Sequence, residues 1–384
     1  MRINSGVMVD NMMRNLQDNM KKLDKLNQQL SSGKKFSKPS ENPIGAAESM
    51  ELESVLSNHG QYLDNIGEAR DWMKSSESAL KNSGKILQRA REQAIYGANG
   101  SLSEGDRKQI AIEIGELKKE LVNVANSKLG DRYLFSGQKT TTKPFTDNGD
   151  FQGSISGLKR EVGPGTKMKI NTNGKEVFAD AIETLDSLED NLNERASIKG
   201  SSPTANNFNG DLKLKIDGGT EKTINLNNDN LNKVVEEINN QTVANASITH
   251  DRKILIKSNT QGENSEVEIT GGALKSVLGF DINDYDVGTN GIDQISEENI
   301  TALDKNLSIN TENRARIGAK INRLDMTESK IEEEKIQSEE LLSKNEDVDI
   351  AKTITDLKMQ ESVYRASLAS GARIIQPTLV DFLQ

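Results

Sequence analysis

The chain has 384 residues, of which 34% are apolar, 4% aromatic and 28% charged, with a net charge of -10 and no cysteine. Even with the 30 glycines added, the apolar share lies below that of compact globular domains, which favours long helices each burying a narrow stripe. The missing cysteines exclude disulfides and thiolate chemistry, and the acidic balance argues against nucleic acid, whose binding rests on basic patches.

Both signs of charge are mixed along the chain, and no single-sign tail stands out. No run of about 18 apolar residues occurs, so no membrane-spanning helix and no membrane partner are expected. The opening "MRINSGVMVDNMMRNLQ" lacks the continuous apolar core of a secretory signal. The expectation is a cytoplasmic chain, or one that leaves by a route needing no cleaved signal.

The first element is an amphipathic helix. Val9, Met13, Leu16, Met20, Leu23 and Leu30 recur at steps of three, four or seven, a coiled-coil seam with Asn27 as its polar interruption. Gly33 ends it, and Pro39 and Pro43 keep it from resuming at once. From Leu52 the pattern is strict: Leu52, Val55, His59, Tyr62, Ile66, Ala69, Met73, Ser76, Leu80, Ser83, Leu87, Ala90 and Ala94 alternate steps of three and four. A helix from Ala46 to Ala98 would be about 80 Å long. In "SLSEGD", Ser103 is an N-cap with Asp106 three positions on, a variant capping box. The helix that follows carries Ile110, Ile114, Leu117, Leu121 and Val124, and is too short to cover the long seam alone.

From Tyr133 the composition turns to Gly, Thr, Asn and Lys with short alternating runs, which predicts hairpins. A helix over Phe178–Glu194 follows. Residues 201–290 form an α+β insert: "DLKLKID" alternates, "NLNKVVEEINN" is helical, and "ASITHDRKILIKSN" predicts two more strands. The long-helix pattern then returns with Ile300, Leu303, Leu307, Ile317, Ile321, Leu324, Ile331 and Leu342, and Asn310, Arg314 and Glu328 as polar members. In the last helix Ile350, Ile354, Leu357, Tyr364, Leu368, Ile375 and Phe382 share a stripe, with Pro377 a kink or break near its end. The predicted fold class is mainly α, a long antiparallel coiled-coil core built from both chain ends, with a β-rich central domain and an α+β insert.

Little in this pattern carries chemistry. His59 lies on a seam and His250 in a strand-like segment, with no cysteine to join them in a metal site. "DINDYDVG" (Asp281–Gly288) lacks the sixth-position glycine and twelfth-position glutamate of a calcium loop. "GPGTK" around Gly163 is a hairpin turn and not a phosphate loop. No nucleophile–base set can be nominated, so neither an enzyme nor a cofactor is expected. The heptad stripes alone leave two uses open: packing within one subunit or a plain coiled-coil dimer, and ordered assembly into a polymer.

Several stretches carry a resemblance. "LSSGKKFSKPSENPIGAA" (Leu30–Ala47) resembles the N-terminal motif of the flagellin superfamily, in the proline-containing form of its hook–filament junction branch. "LGDRYLFSGQKTTTKPF" (Leu129–Phe145) is similar to the passage with which that branch leaves its second core helix. "NRARIGAKINRLD" (Asn313–Asp325) resembles the shared C-terminal helical motif, and "RIIQPTLVDFL" (Arg373–Leu383) the end of the branch's filament-side member. The insert "INLNNDNLNKVVEEINNQTVANASITHDRKILIKSN" resembles the flagellin hook IN motif.

The resemblance implies a structural subunit exported unfolded through the flagellar type III channel to an extracellular site at the hook–filament junction. It implies self-assembly into a ring, contact with the hook-proximal junction protein and with flagellin, and an export chaperone at the C-terminal segment. Its expected divisions are 1–44, an assembly helix disordered in the monomer; 45–132, rod core; 133–200, β-rich outer domain; 201–290, insert; 291–345, rod core; and 346–384, a second assembly helix. Assembly contacts are expected at Val9, Met13, Leu16, Met20, Leu23, Leu30, Ile354, Leu357, Tyr364, Leu368, Ile375, Leu379, Phe382 and Leu383. Flagellin itself and a cytoplasmic coiled-coil adaptor are the alternatives.

Overall fold

The computed structural model describes residues 2–99, 102–201, 203, 207–249, 252–280, 285–287 and 291–375. In chain order the helices are α1 (Arg2–Ser32), α2 (Pro43–Gly97), α3 (Glu104–Ala125), α4 (Asp180–Leu192), α5 (Leu231–Gln241), α6 (Gly291–Gln294), α7 (Ile300–Glu346) and α8 (Ile350–Ile375). The strands are β1 (Lys128–Leu129), β2 (Arg132–Tyr133), β3 (Lys159–Gly163), β4 (Thr166–Lys169), β5 (Ser197–Lys199), β6 (Phe208–Ile216), β7 (Lys222–Asp229), β8 (Asn245–Ile248), β9 (Ile254–Lys257), β10 (Glu266–Gly271) and β11 (Tyr285–Val287). Long helices thus occupy both ends of the chain and the strands lie between them. No described helix is long and apolar enough to cross a membrane.

The chain divides into two units, Met1–Asp64 with Thr327–Gln384, and Asn65–Met326. In the first, α1 stops where Gly33 takes a left-handed conformation (φ 73°) that a glycine adopts without penalty. The bend after α1 and the turn between α7 and α8 are bonded together. The Lys35 amide donates to the Glu346 carbonyl (2.6 Å) and the Val348 amide to that of Gly33 (2.8 Å). Lys34 Nζ pairs with the buried Glu346 carboxylate at 2.7 Å. Asn345 Nδ2 donates to the Gly45 carbonyl (2.8 Å) and to Ser49 Oγ (2.9 Å), which fixes the start of α2 against the end of α7.

In the second unit the heptad positions of α2 from Ile66 to Ala94 are all buried, as their spacing predicts. α7 covers part of that seam, and it does so with asparagines. Asn306, Asn310 and Asn313 are buried, whereas Leu307 is only half-buried. Each amide finds a partner: Asn306 donates to Thr184 Oγ1 (3.0 Å), Asn310 to the Leu80 carbonyl (3.0 Å) and Asn313 to that of Ile309 (2.9 Å). Buried amides are tolerated when their hydrogen bonds are made. α3 starts with the expected capping box, Ser103 accepting from the Asp106 amide while Asp106 accepts from the Ser103 amide.

Residues 133–200 hold fewer hairpins than their composition predicts. Beyond β2 the segment forms the β3–β4 hairpin around Pro164 and Gly165 (φ 64°), an isolated bridge between Phe145 and Phe151, the short β5, and irregular backbone. Aromatic packing replaces sheet pairing here. Phe135, Phe145 and Phe178 are fully buried, with centroids 4.8 Å apart for Phe135–Phe178 and 6.1 Å for Phe145–Phe178. Asn126 holds the arrangement by bonding both the amide (3.0 Å) and the carbonyl (3.1 Å) of Phe145.

The insert has a core of its own, including Phe208, Leu212, Ile224, Val234, Ile256 and Val267. It is built on an antiparallel sheet of order β11-β10-β6-β7 and a second sheet of order β5-β9-β8, with α5 against β7 and β8. The expected runs 211–217, 230–240 and 246–259 fall on β6, α5 and the β8–β9 pair.

Candidate assembly interface

α1 and α8 pack together along their length. They run antiparallel: Asn19 Nδ2 donates to Ser367 Oγ (3.2 Å), Gln360 Nε2 donates to Asn19 Oδ1 (3.1 Å), and Met12 lies against Gly371. On α1 the half-buried positions from Val7 to Leu30 are Val9, Met12, Leu16, Asn19, Leu23, Leu26, Gln29 and Leu30. On α8 Thr353, Leu357 and Gly371 are buried, and Asp356, Gln360, Glu361, Tyr364 and Ser367 are half-buried.

The expected assembly residues therefore divide into two sets. Val9, Leu16, Leu23, Leu30, Leu357 and Tyr364 face the partner helix within this chain. Met13 (50% exposed), Met20 (53%), Ile354 (46%) and Leu368 (45%) remain open to solvent. Ile375 is the last residue of α8, and Leu379, Phe382 and Leu383 lie outside the described residues, as do Pro377 and His250.

The sequence reading missed Met12, Asn19 and Leu26. Two lattices share Val9, Leu16, Leu23 and Leu30, one continuing through Met13, Met20 and Asn27, the other through Met12, Asn19 and Leu26. Each has a single polar member, so hydropathy does not separate them. The partner does: α8 presents Thr353, Ser367 and Gly371, small residues that admit α1 closely. A Cβ on Gly371 would lie 3.1 Å from Met12 Sδ and closer still to its methyl.

The four open residues are equivalent in their heptads, each one position after Met12, Asn19, Thr353 or Ser367. When two helices pair antiparallel, such flanking positions fall on the same side of the seam. Met13, Met20, Ile354 and Leu368 thus form one apolar lane, interrupted by Asn27 and Glu361. The opposite flank is mixed, with Met8 and Val363 among Lys22 and Asp356.

The densest charge cluster lies on α4, and its use is structural. Lys118 of α3 reaches Asp186 (2.7 Å) and Glu189 (2.9 Å), Lys257 of β9 pairs with Asp186 and Asp190, and Lys199 of β5 pairs with Glu183. Burial opposes charge on Lys118, but the two carboxylates outweigh it and hold its pKa at about 12. Burial also opposes charge on Asp186, yet Lys257 and Lys118 keep its carboxyl below the usual range. Asp190, more deeply buried and beside Asp186, is pushed up. A polar cavity of about 510 Å³ adjoins this cluster, lined by Glu183, Asp190, Lys257 and Asn299 among others, and its carboxylates Glu183 and Asp190 are already engaged by lysines. His59, buried on α2, has Glu334 of α7 at 3.8 Å from Nε2. The segment Asp281–Gly288 contributes Tyr285–Val287 to a sheet edge as β11.

Comparison with known proteins agrees with this arrangement. Residues 3–140 match the family model of the bacterial flagellin N-terminal helical region. Over 180 residues the chain is 32% identical to flagellar hook-associated protein 3 of Escherichia coli, covering 46% of this chain and 57% of that relative. The match thus spans little more than half of that relative's length. Over 360 residues it is 25% identical to polar flagellin B/D of Vibrio parahaemolyticus, covering 88% of this chain and 87% of the flagellin. A solved structure from Vibrio parahaemolyticus, described as a flagellar hook-associated protein, superposes on 80% of this chain and 100% of its own with a TM-score of 0.51 at 16% identity, which speaks to fold alone. The chain is thus similar to flagellins in its N-terminal helical region, and to a polar flagellin at lower identity over nearly its whole length.

Proposed function

We propose that this chain is a structural subunit of the bacterial flagellum that joins hook to filament as the filament-side junction protein. The observation that carries the reading is the apolar lane of Met13, Met20, Ile354 and Leu368 on the paired terminal helices. α1 and α8 act as an antiparallel coiled coil whose seam is weak, because α8 supplies Thr353, Gln360, Ser367 and Gly371 to it. The lane is a second apolar surface, and neighbouring subunits in a ring bury it together with Leu379, Phe382 and Leu383. Fully burying each of those three would contribute roughly 1.5–3 kcal/mol, against about 1–2 kcal/mol of backbone entropy per residue ordered. The balance is close, so the terminal segments order on assembly. The hook-proximal junction protein and flagellin are the neighbours on either side, and an export chaperone holds the C-terminal segment beforehand.

Likeness to hook-associated protein 3 over 180 residues supports the junction reading, and likeness to polar flagellins over most of the chain supports a filament subunit as the second. Gold-labelled antibody on isolated hook–filament assemblies separates them: a single band at the hook end is expected, and label along the whole filament would overturn the junction role. Deleting the gene should give complete hooks without filaments and flagellin shed into the medium. Cells that keep full filaments would reject both readings.

A further inference from the structure

Within the second unit the β3–β4 hairpin sets like charges against each other. Its register puts Lys159 directly opposite Lys169, and Glu161 opposite Lys167. The Ile170 amide donates to the Leu158 carbonyl, so the next pair, Lys159 and Lys169, is of the non-hydrogen-bonded kind. Side chains stand closest in such pairs, with Cβ atoms about 5 Å apart and both pointing to one face. Like charges placed so destabilise a hairpin. Glu161 and Lys167 balance each other in charge, but neither lysine of the first pair meets a carboxylate among the described residues. Both are exposed. The stem of Lys169 passes over Gly157, where a built Cβ would lie 3.2 Å from its Cδ and Cε.

Lys320 of α7 brings a third ammonium group to the same place. It is half-buried and donates to the Lys169 carbonyl at 3.0 Å. Burial pushes its pKa down, and the charges of Lys169 and Arg316 push it further, with no described carboxylate near enough to oppose them. Arg316, one turn before it, is engaged by Glu312 at 2.6 Å. The hairpin is fixed to α2 by Asn65, which donates to the Glu161 carbonyl at 2.9 Å, and by the Arg160–Glu68 pair at 3.4 Å. The three lysines are therefore held as a set by two elements. Although the chain carries a net charge of -10, no described carboxylate is placed among them.

We infer that Lys159, Lys169 and Lys320 form a binding site for a small multivalent oxyanion, a phosphate monoester or a diphosphate group. A single carboxylate would offset one charge of the three. A diphosphate sets several acceptor oxygens among ammonium groups that act as point charges with rotatable donors. Half-buried Lys320 favours a compact soluble anion over a flat charged surface. Binding relieves the opposition of Lys159 and Lys169, so the anion stabilises the hairpin on which it sits. This site is independent of the terminal helices and of the assembly role proposed above.

Titration of the full-length protein with inorganic pyrophosphate at low salt, followed by calorimetry and by thermal unfolding, tests it. One pyrophosphate per chain is expected, and K159Q, K169Q and K320Q should each weaken its binding by about tenfold or more. K167Q, on the same face but balanced by Glu161, should change it by less than about threefold. Thermal unfolding gives a readout that a merely structural lysine would not move. Without anion K159Q should melt no lower than wild type, since a repulsion is removed, whereas saturating pyrophosphate should raise the wild-type Tm more than that of the variant. No binding by either measurement, equal weakening by K167Q, or a K159Q variant that melts lower without anion would each overturn the site. Vesicles containing phosphatidic acid distinguish a lipid headgroup from a soluble source: no binding that depends on Lys320 is expected. Vesicle binding lost in K320Q, with none to pyrophosphate, would overturn the proposal.

Discussion

Gly137 shows how much one residue can carry. It has φ 65°, and a Cβ there would lie 1.9 Å from the Ser154 carbonyl oxygen, so the loop beside Phe135 closes only around a glycine. Gly137→Ala should destabilise by at least ~2 kcal/mol, from the left-handed backbone and the clash together. Gly60→Ala is the control: it is helical with nothing within 4 Å of a built Cβ, and should stabilise by about 0.5–1 kcal/mol. Urea unfolding of the two variants checks both signs. Asp186 is the corresponding case in charge. Asp186→Ala leaves Lys118 with Glu189 alone and Lys257 with Asp190 alone, and should cost about 1–3 kcal/mol at pH 7. Because its folded pKa is depressed, that stability is present above the ordinary carboxylate value and lost as pH falls through the folded one. The gap between wild type and variant should therefore shrink below about pH 4, and a gap constant from pH 7 to pH 3 would refute the assignment.

At the scale of elements, the heptads of α2 were legible because one strict pattern runs from Leu52 to Ala94 and no second lattice competes with it. Those of α1 and α8 were not, because two lattices fit α1 equally and because α8 turns small and polar residues toward its partner. Leu26→Ala should therefore loosen the α1–α8 pair, seen as faster amide exchange in both helices, while Asn27→Ala leaves it unchanged. The lane makes the opposite prediction. Met13→Ser with Met20→Ser should alter monomer stability by less than about 0.5 kcal/mol, as surface substitutions do, yet reduce incorporation into flagella. A double variant that unfolds the monomer would place these methionines in the seam. The hairpins expected after Tyr133 gave way to aromatic packing because Phe135, Phe145, Phe151 and Phe178 are scattered in sequence and only the fold gathers them.

For the whole molecule, the division of labour follows from where apolar residues are spent. The second unit and the insert bury their large side chains completely, whereas α1 carries no fully buried residue among those described. Limited proteolysis of the purified monomer should trim both ends first and leave a core near residues 45–345. Protection of residues 368–375 in a proven monomer would contradict ordering on assembly. Three buried polar groups, Asn306, Asn310 and Asp190, are spent on packing α7 and on holding the insert's strands to α4.

The sequence by itself determined that long helices occupy both ends of the chain, where Gly33 and Ser103 bound them, and which face of α2 is buried, since periodicity and capping are local properties. Only the tertiary structure decided which of two heptad lattices α1 uses, that Met13 and Leu368 share an open lane, and that three asparagines of α7 line a core. Those outcomes depend on the shape and hydrogen-bonding capacity of a partner hundreds of residues away, and hydropathy along one helix carries no record of either.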